Sequence, residues 1–102
     1  MTRNRMRPIH PGEILRDEYL LPLDMSANAL AAALGVPTNR ITTIVNGERA
    51  ITADTALRLA KFFATTPDFW LNLQLRYDLR MAEDARETKD ALKAIRPLKR
   101  AS

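Results

Sequence analysis

The stretch LAAALGVPTNRITTIVNGER, residues Leu30–Arg49, decides how this chain folds. Small apolar residues lead into Gly35, Pro37 follows, and a second helical pattern rich in Thr, Asn and Arg begins. Glycine ends helices because it adopts the left-handed conformation without steric cost. The pattern therefore predicts two helices joined by a short turn. They form either a hairpin that only packs a core or a helix-turn-helix whose second helix enters a DNA groove.

Helical periodicity continues on both sides of this stretch, with no convincing strand. In a chain of 102 residues, short helices joined by short turns predict a compact all-α domain. Five helices are predicted. The first runs from Pro11 to Leu21, the second from the N-cap Ser26 to Leu34 and the third from Pro37 to Gly47. The fourth starts at the N-cap Thr52 and stops at TTP (65–67), and the fifth is opened by Thr66, followed by Pro67, and ends at Glu87. The inward-facing residues of the middle three are Ala27, Leu30, Ala31, Leu34, Ile41, Ile44, Val45, Ala56, Leu59, Ala60 and Phe63.

Composition excludes several classes of protein. Hydrophobic residues make up 46% and charged residues 27% of the chain, which is an ordinary balance for a folded domain. No apolar run approaches the roughly 18 to 20 residues that span a bilayer, and the basic N-terminus leads into no apolar signal segment. The chain has no cysteine, which excludes disulfides and thiolate metal sites. We expect a cytoplasmic protein.

The net charge of +4 is compatible with a nucleic-acid partner but is a weak indicator, because much of the excess lies near the chain ends. The third predicted helix is more informative. Outside its apolar stripe it carries Thr38, Asn39, Arg40, Thr42 and Thr43, and no acidic residue occurs between positions 37 and 47. Thr and Asn lower helix stability, whereas Asn can bond adenine, Arg guanine, and Thr a base edge or the thymine methyl. The pattern favours DNA binding over a bundle whose third helix happens to be polar.

The fifth predicted helix carries two apolar stripes. At about 100° per residue, one arc has the aromatic residues Phe69, Trp70 and Tyr77, with Leu73 and Met81. A folded monomer needs one stripe for its own core, so the second indicates another chain, most simply a homodimer. The alternative is that the segment after Thr88 folds back over it. The second stripe comprises Leu71, Leu75, Leu79 and Ala82.

No arrangement typical of an enzyme or a metal site is present. His10 is the only histidine, and its place in HPGE is better explained as orienting the entry to the first helix. Ser26 has no activating histidine or lysine arrangement, and the three glycines form no phosphate-binding loop. We predict no catalytic, metal or cofactor site. The chain is expected to divide into a basic arm (1–9), a helix-turn-helix domain with a C-terminal dimerisation helix (10–87) and a charged, flexible tail (88–102).

The segment from Ser26 to Phe63 resembles the phage-repressor-like helix-turn-helix family, known as XRE or Cro/C1-type. From His10 to Leu79 the chain is more specifically similar to the HigA-type antitoxins, also labelled VapI-like, of bacterial addiction modules. The motifs that carry this resemblance are HPGEIL at 10–15, NRI at 39–41, IVNG at 44–47, ITADTALRLA at 51–60 and FWLNLQ at 69–74.

The resemblance implies a five-helix repressor that dimerises, binds operator DNA in its own promoter and neutralises a HigB-type, RelE-like mRNA-cleaving toxin. It implies base reading by Thr38, Asn39 and Arg40, with Thr42 or Thr43 one turn on; relatives often carry the longer Gln or Arg at these positions. The implied phosphate contacts are Ser26, Asn28, Asn46 and Arg49.

The first helix offers a hypothesis for toxin binding. Its polar face, with Glu13, Arg16 and Asp17, is either solvated surface or an electrostatic match for a basic toxin. Other functions stay open at this point. They are a stand-alone XRE-type regulator without a toxin partner and a helical protein-interaction module without DNA binding.

Overall fold

The structure is a computed structural model that describes residues 7–99, and this part of the chain contains six α-helices and no strand. The all-α class and the helix-turn-helix at α2 and α3 are confirmed, but the predicted count of five helices is wrong. Residues 1–6 of the predicted arm and 100–102 of the predicted tail lie outside the described range. The helices are α1 (Pro11–Ile14), α2 (Ala27–Leu34), α3 (Thr38–Val45), α4 (Ala53–Phe63), α5 (Pro67–Asp84) and α6 (Arg86–Ala94).

The first predicted helix, Pro11–Leu21, is α-helical only over its first turn and continues as a π-helical segment, Leu15–Leu20. Leu15 and Leu20 are both buried. Residues five apart point about 140° away from each other on an α-helix. Hydrogen bonds between residues five apart stack them on one side instead, as between the Leu21 amide and the Arg16 carbonyl at 2.9 Å. The wider turn lets both leucines reach the core.

The predicted helix starts are confirmed. Ser26, Thr52 and Thr66 are the N-caps of α2, α4 and α5, and each side-chain oxygen accepts a backbone N–H from the first turn. Gly35 ends α2 in the left-handed conformation, with φ of 71°. The end of α4 differs, because the left-handed residue there is Ala64, with φ of 58°.

The core lies between α2, α3, α4 and the first half of α5. Trp70 is fully buried, and its indole N–H donates to the Thr65 hydroxyl at 2.8 Å. Phe63 was expected in the core but is only half-buried, because it packs at the edge against Tyr19 with ring centroids 4.7 Å apart. The buried apolar residues are Leu15, Leu20, Leu30, Ala31, Leu34, Ile41, Ile44, Ile51, Ala56, Leu59, Ala60 and Trp70.

The sixth helix, α6, extends into the segment from residue 88 that was expected to be a charged, flexible tail. Its side chains are exposed apart from the half-buried Thr88, so packing against the core contributes little to it. Arg86 and Asp90 pair at i,i+4 with N and O 3.6 Å apart. Glu87 lies in the first turn and Lys93 in the last, which suits the helix dipole. None of the helices within residues 7–99 is long and apolar enough to cross a membrane.

Two contacts fix the position of α3 from behind. A Cβ atom on Gly12 would overlap the Ile44 carbonyl oxygen and lie 2.9 Å from the Val45 Cα, so α1 crosses the end of α3 backbone to backbone. On the other side, the buried Gln74 of α5 accepts the Ile51 amide at 2.8 Å. Together these contacts hold the segment that follows α3 between α1 and α5.

Candidate nucleic-acid interface

The third helix, α3, turns its two isoleucines inward and its polar residues outward. Ile41 and Ile44 are fully buried. At about 100° per residue, the opposite side of the helix forms what we term the outward face of α3. This face comprises Asn39, Thr42, Thr43 and Asn46. Of the residues predicted outside the apolar stripe, Asn39, Thr42 and Thr43 lie on this face, whereas Thr38 and Arg40 lie at its two flanks.

The two threonines of this face bond back to their own helix. The Thr43 hydroxyl donates to the Asn39 carbonyl at 2.6 Å, and the Thr42 hydroxyl does so at 3.3 Å. With the hydroxyl hydrogen used internally, each side chain offers a ligand a methyl group and an oxygen acceptor. The Asn39 amide group makes no hydrogen bond within residues 7–99, so both its donor and its acceptor are available.

Thr38 lies at the flank of α3 nearest α2. Its hydroxyl donates to the Asn28 side-chain oxygen at 2.6 Å, which joins the starts of the two helices. Ser26 accepts the Ala29 amide at 3.0 Å as the N-cap of α2. The structure thus brings three candidate DNA contacts together, but each already has an internal role.

Arg40 lies at the opposite flank of α3 and reaches α4. Its Nη1 atom donates to Oδ2 of Asp54 at 2.8 Å, and Nε of Arg58 donates to the same oxygen at 3.0 Å. Arg58 also donates to the Leu34 carbonyl at 2.8 Å, so the end of α2 belongs to the same network. The hydrogen bond from Arg58, and then that from Arg40, lowers the pKa of Asp54, which keeps this carboxylate charged.

Arg49 and Arg40 border one shallow hollow beside the start of α4. The other lining residues are Ala50, Thr52, Asp54 and Thr55. Arg49 is the arginine here that makes no ion pair with the Asp54 carboxylate, so it is the one available to a phosphate beside this helix N-terminus. Asn46, the last residue of the outward face, is the exposed C-cap of α3. The predicted contacts after α3 therefore lie beside the predicted base readers.

Sequence reasoning missed three side chains that organise this region. Asp54 and Arg58 were not singled out, although their i,i+4 spacing was visible, because the pairing of Asp54 with Arg40 joins residues 14 apart. Gln74 belongs to neither predicted stripe of α5, yet it is buried. Its position four residues after the buried Trp70 was the available signal.

The second stripe of α5 is exposed along most of its length. Leu75 is 54% and Leu79 52% accessible, Ala82 is exposed and Leu71 is half-buried. Residues 88–99 do not cover these leucines, so the alternative of a tail folded back over them is not seen within the described residues. An uncovered apolar stripe of this kind is typical of a protein–protein contact.

The polar face of α1 and the following segment carries internal ion pairs. Glu13 accepts two hydrogen bonds from Arg7, at 3.0 and 2.8 Å, and Arg7 lowers the pKa of this carboxyl. Arg16 pairs with its neighbour Asp17 at 2.8 Å. The three candidate toxin contacts therefore lie on one segment, but their charges are largely balanced within it.

Comparison with known proteins gives consistent matches. The helix-turn-helix family matches residues 17–70. Virulence-associated protein I of Dichelobacter nodosus is 53% identical over 96 residues, which cover 94% of this chain and 86% of that protein. A solved addiction module antidote protein of a HigA family, from Coxiella burnetii, is 60% identical, with a TM-score of 0.84 over 91% of this chain and 100% of the other. Pseudomonas aeruginosa antitoxin HigA, solved with the higBA promoter, is 48% identical, with a TM-score of 0.86 over the same shares, 91% and 100%.

Proposed function

This chain belongs to the helix-turn-helix family, alongside virulence-associated protein I and the HigA antitoxins, and we propose that it is an antitoxin that represses its own promoter. The outward face of α3 carries this proposal. It presents short polar side chains without an acidic residue, on a helix held from behind by buried isoleucines. This arrangement suits insertion into the major groove of operator DNA.

Each candidate residue has a role that its chemistry supports. Asn39 pairs with adenine through its free amide, Arg40 with guanine, and the methyl groups of Thr42 and Thr43 contact thymine. Thr38, tied to Asn28, contributes less through its own hydroxyl. Phosphate contacts fix the register of the helix without reading sequence, and we assign them to Ser26, Asn28, Asn46 and Arg49.

A repressor that reads two half-sites of an operator needs two reading helices. We assign the dimer contact to the second stripe of α5, formed by Leu71, Leu75, Leu79 and Ala82. The exposure of Leu75 and Leu79 supports this assignment, because burial against a second copy removes apolar surface from water. Such a dimer would present its two α3 helices to half-sites about 34–36 Å apart.

The antitoxin role adds a protein partner, a HigB-like mRNA-cleaving toxin. We assign its contact to the polar face formed by Glu13, Arg16 and Asp17. Reversing the charge at Glu13 and Asp17 should weaken toxin binding in a pull-down with the purified toxin. Unchanged affinity would assign the contact to another surface. On this proposal the chain works in the cytoplasm, by binding rather than by catalysis.

The decisive experiment is a titration of the purified protein on its own upstream DNA and on scrambled DNA, at two salt concentrations. We expect preference for the native DNA and steep salt dependence, because phosphate contacts release counterions. Asn39→Ala should lose about 1–3 kcal/mol of this preference. The matched control is Asn72→Ala, which removes an exposed asparagine of α5 and should leave DNA binding unchanged.

Equal, weak binding to both DNAs, insensitive to Asn39→Ala, would contradict the reading role of α3 and support a protein-interaction module instead. Preference for native DNA without capture of a toxin would support a stand-alone regulator. A short RelE-like reading frame beside the gene would separate the antitoxin from that regulator before any protein is made.

A further inference from the structure

The side chain of Asp54 is an acid that the fold places against a candidate base reader. The sequence of α3 contains no acidic residue, yet α4 supplies one whose Oδ2 atom lies 2.8 Å from Nη1 of Arg40. The Asp54 side chain is 56% accessible, so its charge is exposed beside the surface proposed to meet DNA. A carboxylate there repels phosphates and lowers affinity for any DNA.

Folding stability is a weak reason for this placement, since exposed ion pairs contribute little to it. A second arginine, Arg58, also holds the Asp54 carboxylate in place. Arg58 donates to the same Oδ2 atom at 3.0 Å and to the Leu34 carbonyl at 2.8 Å. Arg58 therefore links the Asp54 carboxylate to the end of α2, and the carboxylate in turn restrains Arg40.

We propose that Asp54 is a positioning residue that sets the DNA specificity of this protein by restraining Arg40. The inference rests on the proposed function, in which α3 reads operator DNA. An unrestrained arginine has many rotamers and can reach any nearby phosphate, which raises affinity without regard to sequence. Held through one N–H, the Arg40 guanidinium keeps four N–H donors for a base edge such as that of guanine.

The test compares Asp54→Ala with wild type on the native upstream DNA and on scrambled DNA across a salt series. We expect tighter binding to scrambled DNA and a log–log salt slope steeper by about 0.9, the effect of one additional phosphate contact. The ratio of the two affinities should fall at least about fivefold, the discrimination of one base contact. The matched control is Asp68→Ala, which removes an exposed acid from the first turn of α5 and should leave the ratio unchanged.

A second comparison establishes that Asp54 acts through Arg40. In an Arg40→Ala background, adding Asp54→Ala should lower the affinity ratio no further, whereas independent roles would give additive losses. A purely structural role would instead weaken binding to both DNAs equally and lower the unfolding temperature. If Asp54→Ala does not fold, Asp54→Asn removes the charge while keeping an acceptor, and its salt slope should steepen in the same way.

An unchanged affinity ratio in a folded Asp54 variant, with wild type still preferring its own DNA, would overturn the role of Asp54 alone. If wild type itself shows no preference, the proposed function fails, and this inference fails with it. The wild-type measurement therefore distinguishes the two failures.

Discussion

The outward faces of α3 and α5 are both accessible, yet they are built from opposite chemistry. That of α3 is polar, with Asn39 and Thr43, whereas that of α5 presents Leu75 and Leu79 at 54% and 52% accessibility. Asparagine and threonine reduce helix stability, and exposed leucines leave apolar surface in water. Neither composition benefits a lone folded chain. The difference indicates that one face is suited to DNA and the other to protein.

The two faces also differ in how the fold supports them. The α3 helix depends on a backbone crossing by α1 at Gly12 and on the bond from Ile51 to Gln74. The α5 helix is anchored by its own buried Trp70. We therefore expect substitutions outside α3 to alter the outward face of α3 while leaving the second stripe of α5 intact.

The largest effect is expected from Gly12→Ala. The new Cβ would overlap the Ile44 carbonyl, a backbone atom that cannot move without shifting α3. We expect a loss of at least about 3 kcal/mol in the free energy of unfolding, together with loss of DNA preference. Urea denaturation measures the first quantity. Alanine is the better helix former of the two residues, so a loss below about 1 kcal/mol would contradict the tight crossing.

Substitutions in the second stripe of α5 should weaken dimer formation without unfolding the chain. Leu75→Ala combined with Leu79→Ala should raise the dimer dissociation constant about 30-fold or more, equivalent to about 2 kcal/mol. Each chain should stay folded, because neither side chain belongs to the buried core and each is more than half exposed in a single chain. Sedimentation equilibrium gives the dissociation constant.

The matched control for this pair is Leu57→Ala, which truncates a leucine of α4 that is 59% accessible and lies outside the second stripe. It should leave the association state unchanged. A dimer that survives the paired substitution would place the contact elsewhere. Equal weakening by the control would indicate nonspecific hydrophobic association instead.

The features that the sequence predicted are those that depend on interactions between residues close together along the chain. Helix starts at Ser26, Thr52 and Thr66, and the stop at Gly35, depend on bonds within a few residues, and all are confirmed. The outward orientation of Asn39, Thr42 and Thr43 on α3 follows from helical period alone, whereas the period left open whether the second stripe of α5 is exposed or covered by the segment after Thr88. The roles of these faces in DNA and partner binding remain predictions.

Features that depend on contacts between distant segments were missed. The pairing of Arg40 with Asp54 and the hydrogen bond from the Ile51 amide to Gln74 follow from how helices cross, which periodicity does not encode. The π-helical segment Leu15–Leu20 was missed for a related reason, because the core requires both leucines on one side. The sixth helix was missed because it has no buried apolar stripe that periodicity could detect.

Opposite substitutions at the two left-handed helix ends should change stability in opposite directions, by smaller amounts. Gly35 and Ala64 end α2 and α4 with φ of 71° and 58°, but only glycine adopts this conformation without strain. Gly35→Ala should destabilise the protein by about 1 kcal/mol, and Ala64→Gly should stabilise it by about 0.5 kcal/mol, the relief being partly offset by greater unfolded-state entropy. Thermal unfolding measures both, and shifts of the same sign would contradict the assignment.

The smallest effect is expected at His10, which contacts both α1 and α5. Its Nδ1 atom accepts the Gly12 amide at 2.9 Å as the cap of α1, and its ring lies edge-on to Tyr77 of α5, with centroids 4.8 Å apart. Burial lowers the pKa of His10 below its ordinary 6.5, although Asp78, the Arg49 backbone and Glu13 each raise it. Protonation would also remove the Nδ1 acceptor that caps α1.

Because the folded-state pKa is the lower one, the unfolded chain binds more protons over the interval between the two values. The stabilisation by neutral His10 is therefore complete above pH 6.5 and is lost as pH falls through the folded pKa. The carboxyl groups of Glu13, Asp17 and Asp54 start from ordinary pKa values below that of histidine, and their pKa values are lowered further, which moves their titration away from neutral pH. Unfolding free energy should fall between pH 7 and 5 in wild type but stay level in His10→Asn, which can cap the helix without titrating. A level wild-type profile would mean that protonated His10 keeps an equivalent set of contacts.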